Sequence, residues 1–257
     1  MLIYCAETRI AQIIEFQRGL RMKVLVIIPA YNEAENIPSV IDDLKANFGI
    51  ADVLVVDDCS KDNTAEIVDS LNVRCVSQVF NMGYAAALQT GFKYAMKHGY
   101  DYAVQFDGDG QHIASEANKL FQYAIQNNSD VVLGSRFIED TGYKNSLFRS
   151  IGSTFFSKLI KLICKKDIYD PTSGLQVLSR KCFSLYANMN GYPEYPDANL
   201  IIELIRSGAS IAELPAKMKL RISGTSMHGG ILKPIKYVFL MLYSIFIVLL
   251  RGKAFKK

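Results

Sequence analysis

No Cys-x-x-Cys pair occurs in this 257-residue chain, and its cysteines, at positions 5, 59, 75, 164 and 182, number five. An odd count without paired spacing argues against a disulfide framework and a cysteine-rich zinc site, and it suits a reducing compartment. A basic stripe is also lacking. The formal net charge is +4, and Arg251, Lys253, Lys256 and Lys257 account for it, so the rest of the chain is close to neutral and no nucleic-acid partner is expected. Residues 1–21 lack the basic start and apolar core of a signal peptide, because Glu7, Arg9, Glu15, Arg18 and Arg21 are spread through them. There is no internal repeat and no low-complexity linker. The length fits one α/β domain of the larger kind.

What is present alternates between strand and helix signals. Lys23 to Ile28 is a β-branched strand, followed by a polar loop over 29–36 and by Ile37, Val40, Ile41 and Leu44 on one helical face. Val53 to Val56 reads as a second strand, running into Asp57-Asp58-Cys59-Ser60-Lys61-Asp62-Asn63-Thr64, whose Ser and Asp residues are good helix caps. Val73 to Val79 reads as a third, with a helix from Asn81-Met82-Gly83 through Lys97. A fourth, from Tyr102, ends in Asp107-Gly108-Asp109-Gly110-Gln111-His112. After it come a helix over Ser115 to Asn127, a strand over Asp130 to Leu133, a helix over Leu147 to Cys164, a turn over 170–174 and a strand over Leu175 to Leu178. A helix over Ala198 to Ser207 and an edge strand from Ile211 to Pro215 complete the body. The fold class is therefore α/β, a doubly wound and mostly parallel sheet flanked by helices. Ligands of such sheets bind beyond the carboxyl ends of the strands, where the loops at 29–36, 57–64 and 107–112 fall.

The last of those loops carries the strongest chemical signal. Strand alternation would send Asp107 and Asp109 to one side, and Gly108 would let the backbone approach whatever an ion carries. Two hard carboxylates suit Mg²⁺ or Mn²⁺, which keep positions open for nucleotide phosphates. The alternative is an ordinary polar turn, for which Asp and Gly are common.

With these pieces in register, the chain resembles the family 2 glycosyltransferases of the GT-A fold, and within them the dolichyl- or polyprenyl-phosphate mannose synthase branch. The matching residues are Pro29-Ala30-Tyr31-Asn32-Glu33, Asp57-Asp58-Cys59-Ser60 with Asp62 and Thr64, Asn81-Met82-Gly83, Asp107 to His112, Gly134-Ser135-Arg136 and Ser173-Gly174. The resemblance implies a nucleotide site at Pro29, Tyr31, Asn32, Glu33, Asp58 and Asp107, with Asp58 accepting a hydrogen bond from the base. It implies metal or diphosphate ligation by Asp107, Asp109 and Gln111, phosphate contacts from Arg136, Arg149 and Arg221, and, if the acceptor is a sugar hydroxyl that must lose a proton, Asp197 as the base, with Glu194 second; a polyprenyl phosphate, already ionised near neutral pH, requires no base. The simpler readings are that Pro29 and Asn36 shape a turn, Tyr31 is core, Asp58 and Asp197 cap helices, His112 is a hydrogen-bonded structural residue and each arginine is a solvated charge. The relatives often carry Lys after Gly-x-Ser, where this chain has Gly224-Thr225-Ser226-Met227, leaving His228 as the nearest substitute.

The implied donor is a UDP, GDP or TDP sugar and the acceptor a polyprenyl phosphate or, alternatively, a glycan, with Mg²⁺ or Mn²⁺ as cofactor. An inactive membrane-complex subunit and a metal-dependent phosphohydrolase are the rival classes. Residues 22–230 form the expected catalytic domain after an extension over 1–21, in which Ile10, Ile13, Ile14 and Leu20 are spaced as on a short amphipathic helix. Residues 231–257 are expected to be a membrane-associating helix and basic tail. Tyr237 to Leu250 is almost wholly apolar but shorter than the ~20 residues of a spanning helix, and crossing would export the basic tail against the positive-inside tendency. Insertion into one leaflet at the cytoplasmic membrane face, or docking on a small membrane protein, is the expectation; a buried core helix is the alternative.

Overall fold

In the computed structural model, which describes residues 22–139, 147–219 and 232–251, Val24–Ala30 (β1) is buried at every position. Leu25 and Ile27 enter one apolar cluster, while Val24, Val26, Ile28 and Ala30 enter another. Side chains alternate across a pleat, so a strand buried on both faces belongs in the middle of a sheet that is covered on both sides. β1 pairs in parallel with Asp52–Asp57 (β2), which pairs in parallel with Arg74–Ser77 (β3), and on its other side with Tyr102–Gln105 (β4). Val131–Ser135 (β5), Gln176–Ser179 (β6) and Ile211–Pro215 (β7) complete seven strands in the order β3-β2-β1-β4-β6-β5-β7. Only β6 runs against its neighbours, antiparallel to both β4 and β5.

Ile37–Asn47 (α1), Thr64–Ser70 (α2) and Ala114–Gln126 (α4) cover the face that Ile28 enters. Tyr84–Lys97 (α3), Leu147–Cys164 (α5), Arg180–Ala187 (α6), Ala198–Arg206 (α7) and Leu232–Leu250 (α8) cover the face of Ile27. The mostly parallel, doubly wound arrangement is the expected one. Three details differ. β1 continues through Pro29 to Ala30, at a level where β4 has stopped pairing after Ile27 and the missing proline N–H is tolerated. β3 is four residues long, because it is the edge strand and Val79 and Phe80 beyond it lie in solvent. α6, which the sequence reading omits, is eight residues long and follows β6 without a loop.

The topology gathers the site. β1, β2 and β4 end at one edge of the sheet, and antiparallel β6 begins there, with Gln176 opposite both Gln105 and Leu133. The loops after β1, β2, β4 and β5 and the loop before β6 therefore meet.

Among the described residues no helix is long and apolar enough to cross a membrane. In α8, Tyr237, Met241, Ile245 and Val248 are buried in the same cluster as α3, α5 and α7. Their spacing of four, four and three marks a single helical face. The opposite face, with Ile235, Phe239, Leu242, Tyr243, Phe246, Leu249 and Leu250, is exposed and apolar beyond Lys236, which pairs with Glu194 at 3.0 Å. The segment is thus a core helix on one side and an uncovered apolar surface on the other. Met241→Ala should cost about 2–5 kcal/mol of stability, whereas Phe246→Ser, on the outer face, should stay within roughly 0.5 kcal/mol. Urea unfolding of the two variants reads this, and equal losses would contradict the packing.

Candidate active site

The first two loops are stitched together by their own polar groups. Asn32 adopts φ 55°, a left-handed conformation that Asn tolerates; its N–H donates to Ser60 Oγ at 2.9 Å and its Oδ1 accepts the Lys61 N–H at 2.8 Å. The Glu33 N–H donates to Thr64 Oγ1 at 3.0 Å, and Glu33 Oε2 accepts from Asn36 Nδ2 at 2.6 Å. These bonds hold Tyr31 out at the surface, 39% exposed, with its ring available for stacking. Asp58 is buried, and its two oxygens accept the N–H groups of Met82 at 2.8 Å and Gly83 at 2.7 Å. It fixes the entrance to α3, not the helix that follows it in sequence, so any base contact would use its remaining lone pairs.

β4 stops at Gln105, two residues before Asp107, so a turn with Gly110 at φ 75°, and not strand alternation, orients the two carboxylates. Tyr84 donates its hydroxyl to Asp107 Oδ1 at 2.7 Å and accepts from Gln105 Nε2 at 2.9 Å. The Asp107 N–H donates to His112 Nδ1 at 3.1 Å, which leaves the proton on Nε2, 3.5 Å from Asp107 Oδ2. His112 is buried edge-on against Phe106 and serves as an orienter of Asp107. Asp109 is also buried, and its Oδ1 accepts the Gln111 N–H at 3.0 Å. Gln111 in turn accepts the Lys219 N–H at 2.7 Å, tying this turn to the chain after β7. Gly174 is needed at its position: a Cβ there would lie 2.5 Å from Asp107 Oδ2.

Two carboxylates and an amide are a hard-oxygen donor set that fits Mg²⁺ or Mn²⁺. Among the described residues no group of three or more His, Cys, Asp and Glu side chains could hold a metal by itself. Such ions commonly take one or two carboxylates and complete their shell from substrate phosphate and water.

Arg136 points inward. Its Nε and Nη2 donate to Asp170 at 2.7 and 2.8 Å, and Nη2 also reaches Thr172 Oγ1 at 3.1 Å. The fork that would meet a phosphate is held by a fully buried carboxylate, so Arg136 acts on the cleft as a fixed charge. Arg149 lies in α5 with its side chain outside the described residues. Arg221, the Gly224 to His228 stretch and residues 1–21 also lie outside them.

Asp197 stands at the N-cap position of α7 but makes no side-chain cap bond; Asn199 Oδ1 accepts the Asp197 and Leu200 N–H groups instead. Asp197 Oδ2 accepts the Tyr237 hydroxyl at 2.9 Å. The residue is partly accessible but its carboxyl is ringed by protein, and this desolvation pushes its pKa up to about 6. Tyr237 and Arg136 oppose that rise, while the charges of Asp107 and Asp170 add to it. Tyr84 feels both Asp107 and Asp197, so the two carboxylates lie within electrostatic reach of one hydroxyl. Tyr84, Asp170 and Tyr237 are functional neighbours that the sequence reading missed. Tyr84 is signalled by its position directly after Asn81-Met82-Gly83; Tyr237 is hidden in an apolar run.

Comparison with known proteins adds the following. The pattern of "Glycosyl transferase family 2" matches residues 25–186. The UDP-N-acetylglucosamine–dolichyl-phosphate N-acetylglucosaminyltransferase of Methanococcus voltae is 30% identical over 213 residues, covering 76% of this chain and 84% of that protein. The polyprenol monophosphomannose synthase of Mycolicibacterium smegmatis is 28% identical over 219 residues, covering 81% and 82%. Among solved structures, glucosyl-3-phosphoglycerate synthase of Mycobacterium tuberculosis, in complex with Mn²⁺, UDP and glucosyl-3-phosphoglycerate, has a TM-score of 0.67 at 17% identity, over 92% of this chain and 82% of that one. That likeness establishes the GT-A type fold.

The Asp197 pKa has a consequence for stability. Folding raises it from the ordinary carboxylate value of 3.8 to about 6, so the native state binds a proton more tightly than the unfolded chain, and stability falls as pH rises through that interval. Asp197→Asn removes the titration. Its melting temperature should pull ahead of wild type between about pH 4 and pH 7 and hold its lead above; parallel stability curves across that range would contradict the burial of the charge.

Proposed function

Because this chain belongs to glycosyl transferase family 2, we propose that it moves a sugar, with inversion, from a nucleoside diphosphate sugar to a polyprenyl phosphate at the cytoplasmic membrane face. One observation carries the reading: Asp107, held by Tyr84, and Asp197, held by Tyr237, both act on the Tyr84 hydroxyl beside the strand ends where the polar loops converge. The names of relatives that act on dolichyl phosphate and polyprenol support the acceptor.

In this reading Pro29, Tyr31, Asn32, Glu33 and Asp58 form the nucleotide site, with the Tyr31 ring against the base. Asp107, Asp109 and Gln111 would hold Mg²⁺ or Mn²⁺, which supplies charge neutralisation for the departing diphosphate. The Arg136 charge, with Arg149 and Arg221, favours the same phosphates. Asp197 manages a proton. A phosphate monoester loses its second proton near pH ~6, and a carboxylate of matched pKa is suited to take it as the acceptor attacks the sugar carbon. The same residue would serve a saccharide hydroxyl, which keeps a glycan acceptor as the second reading.

The exposed apolar face of α8, followed by the basic residues from Arg251 onward, suits shallow insertion in one leaflet with anionic lipid beneath the tail. Residues 22–230 with α8 packed upon them then form one catalytic unit at the bilayer surface.

The test is transfer of label from UDP, GDP and TDP sugars, with Mn²⁺, to polyprenyl phosphate in vesicles and to soluble saccharides. Wild-type protein should label the lipid; Asp109→Ala should stay folded and lose transfer by at least about 100-fold. Near wild-type transfer by Asp109→Ala would refute the metal site, labelling of saccharide alone would shift the acceptor to the second reading, and release of phosphate from simple monoesters without sugar transfer would refute the function.

A further inference from the structure

The apolar helix does more than offer an outer face. We propose that Tyr237 of α8 is a positioning residue for the Asp197 carboxylate, so that α8 carries part of the reaction machinery; the inference rests on the reading of Asp197 given above. Two contacts from one helix converge on this residue. Tyr237 donates its hydroxyl directly to Asp197 Oδ2 at 2.9 Å. Seven residues on, about two turns along the same face, Ser244 Oγ accepts from Asn199 Nδ2 at 2.7 Å, and Asn199 Oδ1 accepts the Asp197 N–H at 2.9 Å. Asn199 is fully buried, so its amide must satisfy both bonds where it stands. α8 therefore fixes the side chain of Asp197 at one point and its backbone at another.

The donor itself is rigid. The Tyr237 ring packs edge-on against Phe156 and Tyr195, with ring centres 5.9 and 4.9 Å away, which sets the direction of its O–H bond. Burial and the adjacent Asp197 charge raise its pKa well above the usual value, so it remains a donor through the working range. The other charges and titratable groups facing Asp197 are Arg136 after β5, Asp107 after β4, Asp170 before β6, Tyr84 on α3, and Tyr192 and Tyr195 ahead of α7. Two of these are carboxylates, and without a fixed donor Asp197 would turn away from them or take up a proton. With Oδ2 engaged by Tyr237, Oδ1 is the oxygen left to face the acceptor.

Tyr237→Phe in the full chain removes one hydroxyl and keeps the ring. It should leave nucleotide affinity in the presence of Mn²⁺ within about twofold of wild type while lowering kcat roughly tenfold or more, the effect of losing one hydrogen bond to a charged group. The acid limb of the kcat/KM profile should move to higher pH, since the lost donor favoured the ionised carboxylate. In the Asp197→Asn background the same change should cost nothing further, because the two residues act as a unit. Ser244→Ala should give a smaller loss in kcat with KM unchanged, and it serves as the reading if Tyr237→Phe unfolds. An unmoved acid limb, or losses that add across the double variant, would overturn the proposal. Full turnover by Asp197→Asn alone would sink the base assignment instead, whereas a slow Asp197→Asn beside a wild-type-like Tyr237→Phe would sink only the link to α8.

Discussion

Carboxylates buried or half-buried where the strands of a sheet end must each be given hydrogen-bond donors or a counter-charge, because a charge moved out of water without them is costly. In this protein that requirement organises the site. Asp58 takes the backbone N–H groups at the entrance to α3, Asp107 takes the Tyr84 hydroxyl, Asp170 takes the Arg136 fork, and Asp197 takes the Tyr237 hydroxyl. Each donor comes from a different part of the chain than its acceptor. The loops are therefore cross-braced by the groups that the chemistry needs, and the sheet supplies only their common level.

The donors are not equal, and the differences assign work. Arg136 is a full positive charge in bidentate contact with Asp170 at a site with no exposure. Asp197 receives a single neutral hydroxyl, and burial wins: its pKa rises to about 6. One carboxylate is thus clamped in a structural ion pair, while the other can exchange a proton near neutrality. α8 makes the second possible. It buries Tyr237 and Met241 in the core and leaves Phe239 and Phe246 outside, so a single helix serves stability, the cleft and an uncovered apolar surface.

Much of this is legible in the sequence, for local reasons. β1 and β2 read as strands because their residues are β-branched and buried on both faces, and the sheet class follows from their alternation with helices. The polar loops at the strand ends are found by position alone. Pairings across long separations are not legible: nothing near Arg136 announces Asp170, 34 residues away, as its partner. Strand alternation gives the wrong reason for the placement of Asp107 and Asp109, since β4 ends at Gln105 and the turn takes over. Tyr237 is concealed by composition, because a tyrosine in an apolar run looks like packing until the fold brings Asp197 against it. Arg149 and Arg221 remain readings from resemblance, their side chains lying outside the described residues.

The central claim is that the loops after β1, β2 and β4 form a metal-assisted site for a nucleoside diphosphate. A thermal-shift titration of UDP, GDP and TDP, each with and without Mn²⁺, tests it most directly, because a ligand that binds only the native state raises its melting temperature. The account predicts that at least one of the three raises the transition when Mn²⁺ is present, with little effect when it is absent, and that Asp107→Asn abolishes the rise. No rise with any of the three, with or without the metal, would contradict it.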